Sequence, residues 1–473
     1  MKNFKKILLT FILILPLSIF LFACNSAPYI ISLEKSNSIG TTDTYTITYS
    51  NGEKKYFSVE NGQNGQDGTS ITLDDIKKYC EDTGKTVEQF FKELQLEINI
   101  NPVKSATNKA MQSAISLFTE QIEQGSYAAY AGSGVIYKMD DDFTYIITNY
   151  HVTHNGNFLN STLATKIMAY QYGENELIAK DPSTGKFVYD ESAIECQYVG
   201  GSDRYDLAVV KAPTNLIKQN NPNACAVEIA SNYELADTVI AIGNPSGDGL
   251  SATEGIVSVT SETIDMAYEN SIFYKTIRVM RIDAAVNGGN SGGGLFNING
   301  ELIGIVNAKI ISSDIENIAY ALPVGNAVNV AESIIYNNIV KNSTSPTQVK
   351  FNIKYTEDNF HSVYNEKDNT ITLYNDIIIA TEPTANGLGA RIGFEIDDIV
   401  KSATIKRGTT ETTYTFNRSY ELTDLCLILR EGDAISFNVI RNGQEITIGN
   451  LESTFIQSAD LVDCDTPADY VKQ

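Results

Sequence analysis

The sequence predicts a mainly β protein of two or three domains, built around an antiparallel β-barrel or sandwich. A chain of 473 residues is longer than one ordinary domain. Between Tyr127 and about Asn342, short runs rich in Val, Ile and Tyr alternate with turns rich in Gly, Asn and Asp, which is typical of such a β fold. Hydrophobic residues at 42% and charged residues at 20% indicate a globular chain rather than a disordered one.

The first 23 residues predict an export signal. Lys2, Lys5 and Lys6 precede an apolar run that ends at Ala23, which is the pattern of a signal peptide. The run closes on Leu-Phe-Ala-Cys at 21–24, which resembles the lipobox of bacterial lipoproteins. That resemblance implies a lipidated Cys24 that anchors the protein in the cell membrane, on the extracytoplasmic face. An uncleaved signal anchor and free secretion are the alternatives, and both also place the remaining chain outside the cytoplasm.

Charge and cysteine content exclude several classes of function. A formal net charge of -23 repels nucleic-acid phosphates and anionic headgroups, so nucleic acid is not an expected partner. Beyond Cys24 the cysteines are odd in number and without C-x-x-C spacing, which argues against a metal site or a disulfide scaffold. Cys196 and Cys225 form the one pair worth testing as a disulfide, and two buried thiols are the plainer interpretation.

The order of sequence patterns predicts the domain boundaries. Before the central domain, two strands at 44–49 and 55–59 flank an Asn51-Gly52 turn, which predicts a hairpin. A glycine-containing linker, a helix from Thr72 through Leu94 and a second amphipathic segment around Lys104 to Ile122 follow. The predicted parts are a signal peptide at 1–23, a hairpin/helix module and linker at 24–100, a central domain at 101–342, a smaller α+β domain at 348–455 and a tail at 456–473.

Three residue types that could form a nucleophilic site occur at strand edges. His151 follows an apolar strand, Asp206 opens another, and Ser291 lies in the run Gly-Gly-Asn-Ser-Gly-Gly-Gly at 288–294. A serine hydroxyl needs a base to take its proton, and histidine suits proton transfer near neutral pH. Glycines beside the serine allow positive φ and close approach of a substrate, so Gly289 N–H and Ser291 N–H are the expected oxyanion donors. Each motif alone is weak, but their His, Asp, Ser order is that of chymotrypsin-like barrels.

These motifs resemble the trypsin-like protease domain of the HtrA/Deg family. The family carries T-N-x-H-V, D-L-A-V and G-N-S-G-G, which occur here at 148–152, 206–209 and 289–293. The resemblance implies a chymotrypsin-like double β-barrel in which His151, Asp206 and Ser291 form the catalytic triad. It also implies an ATP-independent protease of protein quality control and stress response, acting on unfolded or exported proteins without a metal or organic cofactor. Because the family's proteases are commonly trimers, a homotrimer is a further expectation.

The same resemblance implies an apolar primary specificity pocket. In trypsin-like enzymes the residue six positions before the nucleophile lies at the base of that pocket, and here it is Ala285, beside Val286. No carboxylate is present there to attract Lys or Arg, so cleavage after small to medium aliphatic residues is expected. Asn307 is expected on a strand that lines the pocket.

The C-terminal part resembles a PDZ domain. The stretches 387–400 and 432–443 are similar to the middle and the final hairpin of that domain, with Asn442-Gly443 as the turn. PDZ domains bind peptide C-termini by adding a strand to a sheet edge, so such peptides are expected partners. The sequence does not locate the carboxylate-binding loop.

Two departures from the family keep other functions open. The family has proline at the positions of Gly288 and Gly294, and an insertion lies around Tyr170 to Asp190. Extra glycines should make the serine loop more flexible, because glycine loses more conformational freedom on ordering. A catalytically weak or inactive chaperone or peptide-binding adaptor on the same fold is therefore the main alternative. A structural module at the cell surface is a third, suggested only by the N-terminal hairpin.

Overall fold

The computed structural model describes most of the chain beyond residue 101 and parts of the segment before it. The described residues are 30–39, 42–49, 54–60, 79–80, 82–85, 101–123, 125–156, 160–173, 179–267, 274–307, 318–367 and 370–465. The expected signal peptide, Cys24, the Asn51-Gly52 turn, the glycine-containing linker and most of the helix predicted after Thr72 lie outside them. Within the described part, no helix has both the length and the apolar character needed to cross a membrane.

The chain divides into two compact units, Met1–Asn101 and Pro102–Gln473. The first contains a three-stranded antiparallel sheet, β1 (Ile30–Ile39), β2 (Thr42–Tyr49) and β3 (Lys54–Glu60), in that order. β2 and β3 are the strands of the predicted hairpin. β1 was not predicted, because its polar residues obscure the alternation that identifies a strand.

The second unit begins with a helix and a strand where one amphipathic segment was expected. Helix α1 covers only Pro102–Ala110, and β4 (Ala114–Glu123) is already part of the main sheet. The apolar spacing at 114–118 fits either period over so short a run. β4 is buried along most of its length, so the sheet decides its conformation.

The first half of the central domain is a seven-stranded sheet in the order β12-β9-β4-β5-β6-β14-β13. Its edge strands β12 and β13 are separated only by Cys196, so the two ends of the sheet meet and the sheet is rolled. Its core contains Ile115, Ile136, Ile146 and Val210. The strands of this half are β5 (Ser126–Met139), β6 (Phe143–Thr148), β7 (His154–Asn155), β8 (Thr162–Leu163), β9 (Lys166–Tyr170), β10 (Ala179–Lys180), β11 (Phe187–Val188), β12 (Ile194–Glu195), β13 (Gln197–Ser202) and β14 (Leu207–Pro213), with helices α2 (Tyr150–Thr153) and α3 (Thr214–Asn220).

The second half is a closed six-stranded barrel, in the order β15-β16-β17-β20-β19-β18. The mainly β, trypsin-like expectation is thus confirmed. The insertion at 170–190 contains the short hairpin of β10 and β11. The barrel strands are β15 (Thr238–Gly243), β16 (Ser251–Ala267), β17 (Tyr274–Ile282), β18 (Gly294–Phe296), β19 (Leu302–Val306) and β20 (Ala319–Pro323), and helix α4 (Val324–Lys341) follows.

The C-terminal domain is a mixed α+β fold with its own core around Phe437. Its sheet has the order β22-β23-β24-β26-β27, and β25 pairs with β24. The segment predicted as a tail after 455 contributes β28, which pairs with β21 at the start of the domain predicted at 348–455. The elements are β21 (Thr347–Val349), β22 (Tyr355–Asn365), β23 (Thr370–Ile379), α5 (Leu388–Ile392), β24 (Ile399–Arg407), β25 (Thr410–Thr415), α6 (Ser419–Ile428), β26 (Ala434–Arg441), β27 (Gln444–Gly449) and β28 (Leu461–Asp463).

Helix α6 of this domain packs against α4. Asp424 of α6 also forms an ion pair with Arg278 of β17, with Arg278 Nη2 2.9 Å from Asp424 Oδ2 and both side chains mostly buried. Asn326 Nδ2 donates to Asp424 Oδ1 at 3.2 Å. The C-terminal domain is therefore held against the second barrel by buried polar contacts as well as apolar ones.

Candidate active site

Three side chains from separate parts of the sequence form one hydrogen-bonded chain. His151 lies in α2 directly after β6, Asp206 directly precedes β14, and Ser291 precedes β18 of the second barrel. His151 Nδ1 lies 2.8 Å from Asp206 Oδ2, and His151 Nε2 lies 2.9 Å from Ser291 Oγ. Because a carboxylate only accepts hydrogen bonds, it favours the proton on Nδ1 and leaves Nε2 free to accept from the serine. This arrangement can activate Ser291 as a nucleophile.

The carboxylate of Asp206 is fully buried and accepts hydrogen bonds from two other groups besides the imidazole. The backbone N–H of His151 donates to Oδ1 at 3.1 Å, and Asn307 Nδ2 donates to Oδ2 at 2.7 Å. These bonds fix the direction of the carboxylate and compensate for its burial.

Asn307 makes a contact that the sequence does not predict. Its side chain is 1% exposed and donates to the carboxylate of Asp206, while its expected place beside the specificity pocket stays a prediction. The sequence places it after β19 but does not reveal which way the side chain turns.

The turn that leads into Asp206 is tightly constrained. Asp206 has φ of 48°, which is uncommon for a residue other than glycine. Its N–H donates to Asp203 O at 3.1 Å, and Asn149 Nδ2 donates to its carbonyl at 2.8 Å. The buried Lys275 Nζ donates to Asp203 O at 2.7 Å. The turn 203–206, which carries the triad aspartate, is therefore held from both halves of the central domain.

The loop before Ser291 contains a β-turn at 287–290. Asn290 N–H donates to Asn287 O at 3.0 Å, which closes the turn. Gly289, at the third position, has φ of 99°, as a type II turn requires. A Cβ on Gly289 would lie 2.1 Å from Asn244 O, so only glycine fits. The expected oxyanion donor Gly289 thus lies on a closed turn, and the other expected donor, Ser291, follows the turn directly.

The two glycines that replace the family's prolines have different surroundings. A Cβ on Gly294 would lie 2.4 Å from the ring of Phe296, so this position is tightly packed in β18. A Cβ on Gly288 would meet nothing within 4 Å. The expectation of added flexibility from both glycines is therefore wrong for Gly294 and remains open only for Gly288.

The residues expected in the specificity pocket lie on the segment between β17 and the serine turn. Ala285 is exposed, and its carbonyl accepts a hydrogen bond from Thr253 Oγ1 at 2.8 Å. Val286 is half-buried and packs against the core of the second barrel. Both are apolar, but residues 308–317, which follow Asn307, lie outside the described part of the chain.

The other two histidines and the cysteine pair considered for a disulfide lie outside the hydrogen-bonded set of Ser291, His151 and Asp206. His154 stacks on Tyr150 with ring centroids 3.9 Å apart, and burial lowers its pKa to about 4. His361 stacks on Tyr374 in the C-terminal domain. Cys196 and Cys225 are both free thiols: burial raises the pKa of Cys196 to about 12, while Cys225 is exposed.

A second concave site lies beside the C-terminal domain. A cavity of about 280 Å³ is lined by residues 348–353, by Leu422, Thr423 and Cys426 of α6, and by Arg204 of the central domain. β22, which follows residues 348–353, is the edge strand of its sheet. An edge strand beside a helix is a geometry that can accept an added peptide strand.

The chain is similar in sequence to known serine proteases. The family described as "Trypsin-like peptidase domain" matches residues 132–305. The chain is 27% identical to "Serine protease Do-like HtrA" of Bacillus subtilis (strain 168) over 357 residues, which cover 72% of this chain and 68% of that protein. It is 30% identical to "Serine protease Do-like HtrB" of the same organism over 275 residues, covering 57% of this chain and 52% of that protein.

Other relatives are covered over a smaller share of their length. "Serine protease HtrA-like" of Staphylococcus haemolyticus (strain JCSC1435) is 27% identical over 312 residues, which are 64% of this chain and 43% of that protein. Among solved structures, "HtrA-type protease AlgW with tripeptide" aligns with a TM-score of 0.45 and 23% identity, over 77% of this chain and 98% of that chain. The sequence relatives and the domain match together show that the chain carries a trypsin-like peptidase domain, is homologous to HtrA/Do-like serine proteases, and is a serine endopeptidase.

Proposed function

We propose that this chain is an exported, lipid-anchored protease that cleaves unfolded or exported proteins after small to medium aliphatic residues. The observation that carries the proposal is the continuous chain of hydrogen bonds from Ser291 Oγ through the His151 imidazole to Asp206. Such a chain generates a nucleophile near neutral pH without a metal or organic cofactor.

The reaction follows from the positions of the three side chains. Ser291 Oγ attacks the scissile carbonyl carbon while its proton passes to His151 Nε2. The tetrahedral intermediate collapses, the C–N bond breaks, and His151 returns the proton to the leaving amine. A water molecule, deprotonated by the same nitrogen, then hydrolyses the acyl-serine and restores the site. Asp206 stays ionised throughout and stabilises the imidazolium.

The turn at 287–290 supports a role in stabilising the intermediate. The N–H groups of Gly289 and Ser291 are proposed to donate hydrogen bonds to the oxyanion of the intermediate. Stabilisation of this developing charge is usually the largest single contribution to the rate. Gly288 O accepts a hydrogen bond from Ser246 N–H at 2.8 Å. Because N–H and C=O point in opposite directions across a trans peptide, this bond directs Gly289 N–H away from Ser246.

Substrate preference is proposed from the apolar residues before the turn. Ala285 and Val286 offer no charge to a substrate side chain, so Val, Ala, Ile or Leu at the cleaved position is favoured over Lys, Arg or Glu. Peptides that differ only at this position test the proposal through their kcat/KM values. Faster cleavage after Lys than after Val would contradict it.

The cavity beside β22 and α6 supports a second activity, the binding of peptide C-termini by a PDZ-like domain. Residues 350–353 line the cavity and precede the edge strand, and we propose this segment as the carboxylate-binding loop. Asn352 within it has φ of 57°. An added peptide strand would pair with β22 and place side chains against Leu422 and Cys426. Binding of a peptide with a free carboxylate, but not of its amide, tests this role.

Membrane attachment is proposed from the lipobox-like sequence alone. Incorporation of labelled palmitate into the expressed protein, and its loss in Cys24→Ala, tests the lipid anchor.

A homotrimer is likewise proposed only from the resemblance to the family. Light scattering of the protein without its signal peptide measures its oligomeric state.

The decisive test of proteolysis compares two proteins. The mature protein and its Ser291→Ala variant are incubated with casein, an unfolded substrate. We expect cleavage by the first and none by the second. Equal cleavage by both, or none by either, would favour the alternative of an inactive chaperone or adaptor on the same fold.

A further inference from the structure

Ser133, on β5 of the first sheet, contacts three separate segments of the active site. It is completely buried. Its Oγ donates to Gly289 O at 2.8 Å and accepts from Asn244 N–H at 2.8 Å. Its backbone N–H donates to Ser291 O at 2.8 Å, and its carbonyl accepts from Thr148 Oγ1 at 2.7 Å. One residue thus joins the serine loop, the loop after β15 and the strand that leads to His151.

The conformation of the serine turn decides where one oxyanion donor points. At the third position of a turn, φ near +80° gives type II and φ near −90° gives type I. The two types differ by rotation of the central peptide, which here carries Gly288 O and Gly289 N–H. Gly289 has φ of 99°, and rotation would exchange the positions of that carbonyl and that N–H. The direction of one oxyanion donor therefore depends on the turn type.

Glycine does not by itself choose between the two turn types. A residue without Cβ populates positive and negative φ almost equally, and Gly288 has open space beside it. The selection must come from hydrogen bonds to the turn. Ser246 N–H binds Gly288 O, which lies on the rotating peptide, so this bond selects type II. Ser133 Oγ bridges Gly289 O and Asn244 N–H, so it holds the turn beside the segment that carries Ser246.

We propose that Ser133 is a positioning residue of the oxyanion turn: its hydroxyl holds the turn against the segment 244–246, whose Ser246 N–H keeps Gly289 at positive φ with the Gly289 N–H facing the reacting carbonyl. The role rests on the proposed proteolytic function and adds a residue to it. Ser133 bonds the backbone of the serine loop, so it acts on the reaction through the turn. Its effect should fall on the stabilisation of the tetrahedral intermediate, with substrate binding left unchanged.

The test uses Ser133→Ala in the mature full-length protein, with Ser333→Ala as the matched control. Ser333 is also completely buried, but it lies away from the triad. Its Oγ donates to Thr347 O and accepts from Thr347 N–H, both at 2.9 Å, so it makes the same two kinds of bond as Ser133 Oγ. Kinetics of an aliphatic peptide substrate give kcat and KM. The inhibition constant of a peptide boronate measures directly how well the oxyanion site binds a negative charge, because the tetrahedral adduct of the boronate carries a negatively charged oxygen.

For Ser133→Ala we expect kcat to fall about 10- to 100-fold with KM within about two-fold, a smaller loss than removal of a whole donor. Boronate affinity should fall in parallel, and the midpoint of the pH–rate profile should stay unchanged because His151 is untouched. Ser333→Ala should keep wild-type kcat. If the alanine variant does not fold, Ser133→Cys keeps a similar size and donates a weaker hydrogen bond, and it should show a smaller loss of the same kind.

A folded Ser133→Ala protein with wild-type kcat and boronate affinity would overturn the proposal while leaving proteolysis intact. An equal loss in Ser333→Ala would also overturn it, because the effect would then be one of general stability. A wild-type protein that cleaves neither peptide nor casein and does not bind the boronate would instead refute the proposed function, and the role of Ser133 with it.

Discussion

At the scale of single residues, the site depends on a few hydrogen bonds that the motifs do not contain. Asp206 is held by Asn307, which lies 101 positions later in the sequence. The serine turn is held by Ser133, which lies 156 positions before Gly289. Neither contact has a local pattern in the sequence. His151, Asp206 and Ser291 were predictable because each lies in a short motif at a strand end, whereas their supporting residues become visible only when the sheets are assembled.

Asn307 gives a prediction about triad geometry. Asn307→Ala removes the Nδ2–H donor to Asp206 Oδ2 and should lower kcat about 10-fold with little change in KM, because the imidazole is then less well oriented. Asn307→Asp should be more harmful, since it places a second carboxylate against Asp206. Steady-state kinetics on one peptide substrate check both. Wild-type kcat in Asn307→Asp would contradict the assigned contact.

The glycines of the serine loop give a prediction about stability. Gly294→Ala should lower the free energy of unfolding by about 1–3 kcal/mol, because its methyl group would overlap the ring of Phe296. Gly288→Ala should change it by less than about 1 kcal/mol and in the stabilising direction, since Gly288 has open space and no positive φ. Urea unfolding of the two variants measures the difference, and equal destabilisation would count against it.

At the scale of elements, strands were predicted better than the segments between domains. Runs such as 207–210 have the buried β-branched character of a strand, and they form β14. The segment 104–122 was read as a single amphipathic segment, yet its second half is β4 in the middle of the sheet. Its partners β5 and β9 supply the hydrogen bonds that favour a strand, and such pairing outweighs local propensity.

His154, which directly follows the short helix α2, makes stability depend on pH. Burial lowers the pKa of His154 to about 4, below its ordinary value of 6.5. Between these values the unfolded chain binds a proton that the native protein does not, so stability is complete above pH 6.5 and falls as the pH drops toward 4. The expected loss is on the order of 3 kcal/mol. His154→Phe keeps a ring against Tyr150 and should remove this part of the pH dependence.

Denaturant unfolding at several pH values between 7 and 4 checks this expectation by comparing the variant with the wild type. Other titrating groups affect both proteins alike, so the difference between the two curves isolates His154. Parallel curves would show that His154 does not contribute.

At the scale of the whole molecule, the C-terminal domain contacts the turn that carries the triad aspartate. Asp465 Oδ1 accepts from Ser202 Oγ and from Arg204 N–H, both at 2.9 Å. Tyr205 Oη donates to Gln348 Oε1 at 3.0 Å. The turn is thus supported by residues from both ends of the C-terminal domain, and Arg204 also lines the cavity beside α6.

This contact predicts that a residue remote in sequence affects catalysis. Asp465→Ala should lower kcat several-fold, because the strained φ of 48° at Asp206 is held less firmly, and it should leave KM nearly unchanged. Asp463→Ala is the matched control, since Asp463 is an exposed carboxylate two residues earlier on β28. Peptide kinetics on both variants check the prediction. Equal activity of the two would show that the C-terminal domain does not support the turn.

The central claim is that Ser291 is a nucleophile activated by His151. A fluorophosphonate probe reacts covalently with an activated serine, and mass spectrometry of the digested protein locates the adduct. We predict labelling of Ser291 in the wild type, and loss of labelling in Ser291→Ala and His151→Ala. An unlabelled, folded wild-type protein, or labelling that persists in His151→Ala, would contradict the claim.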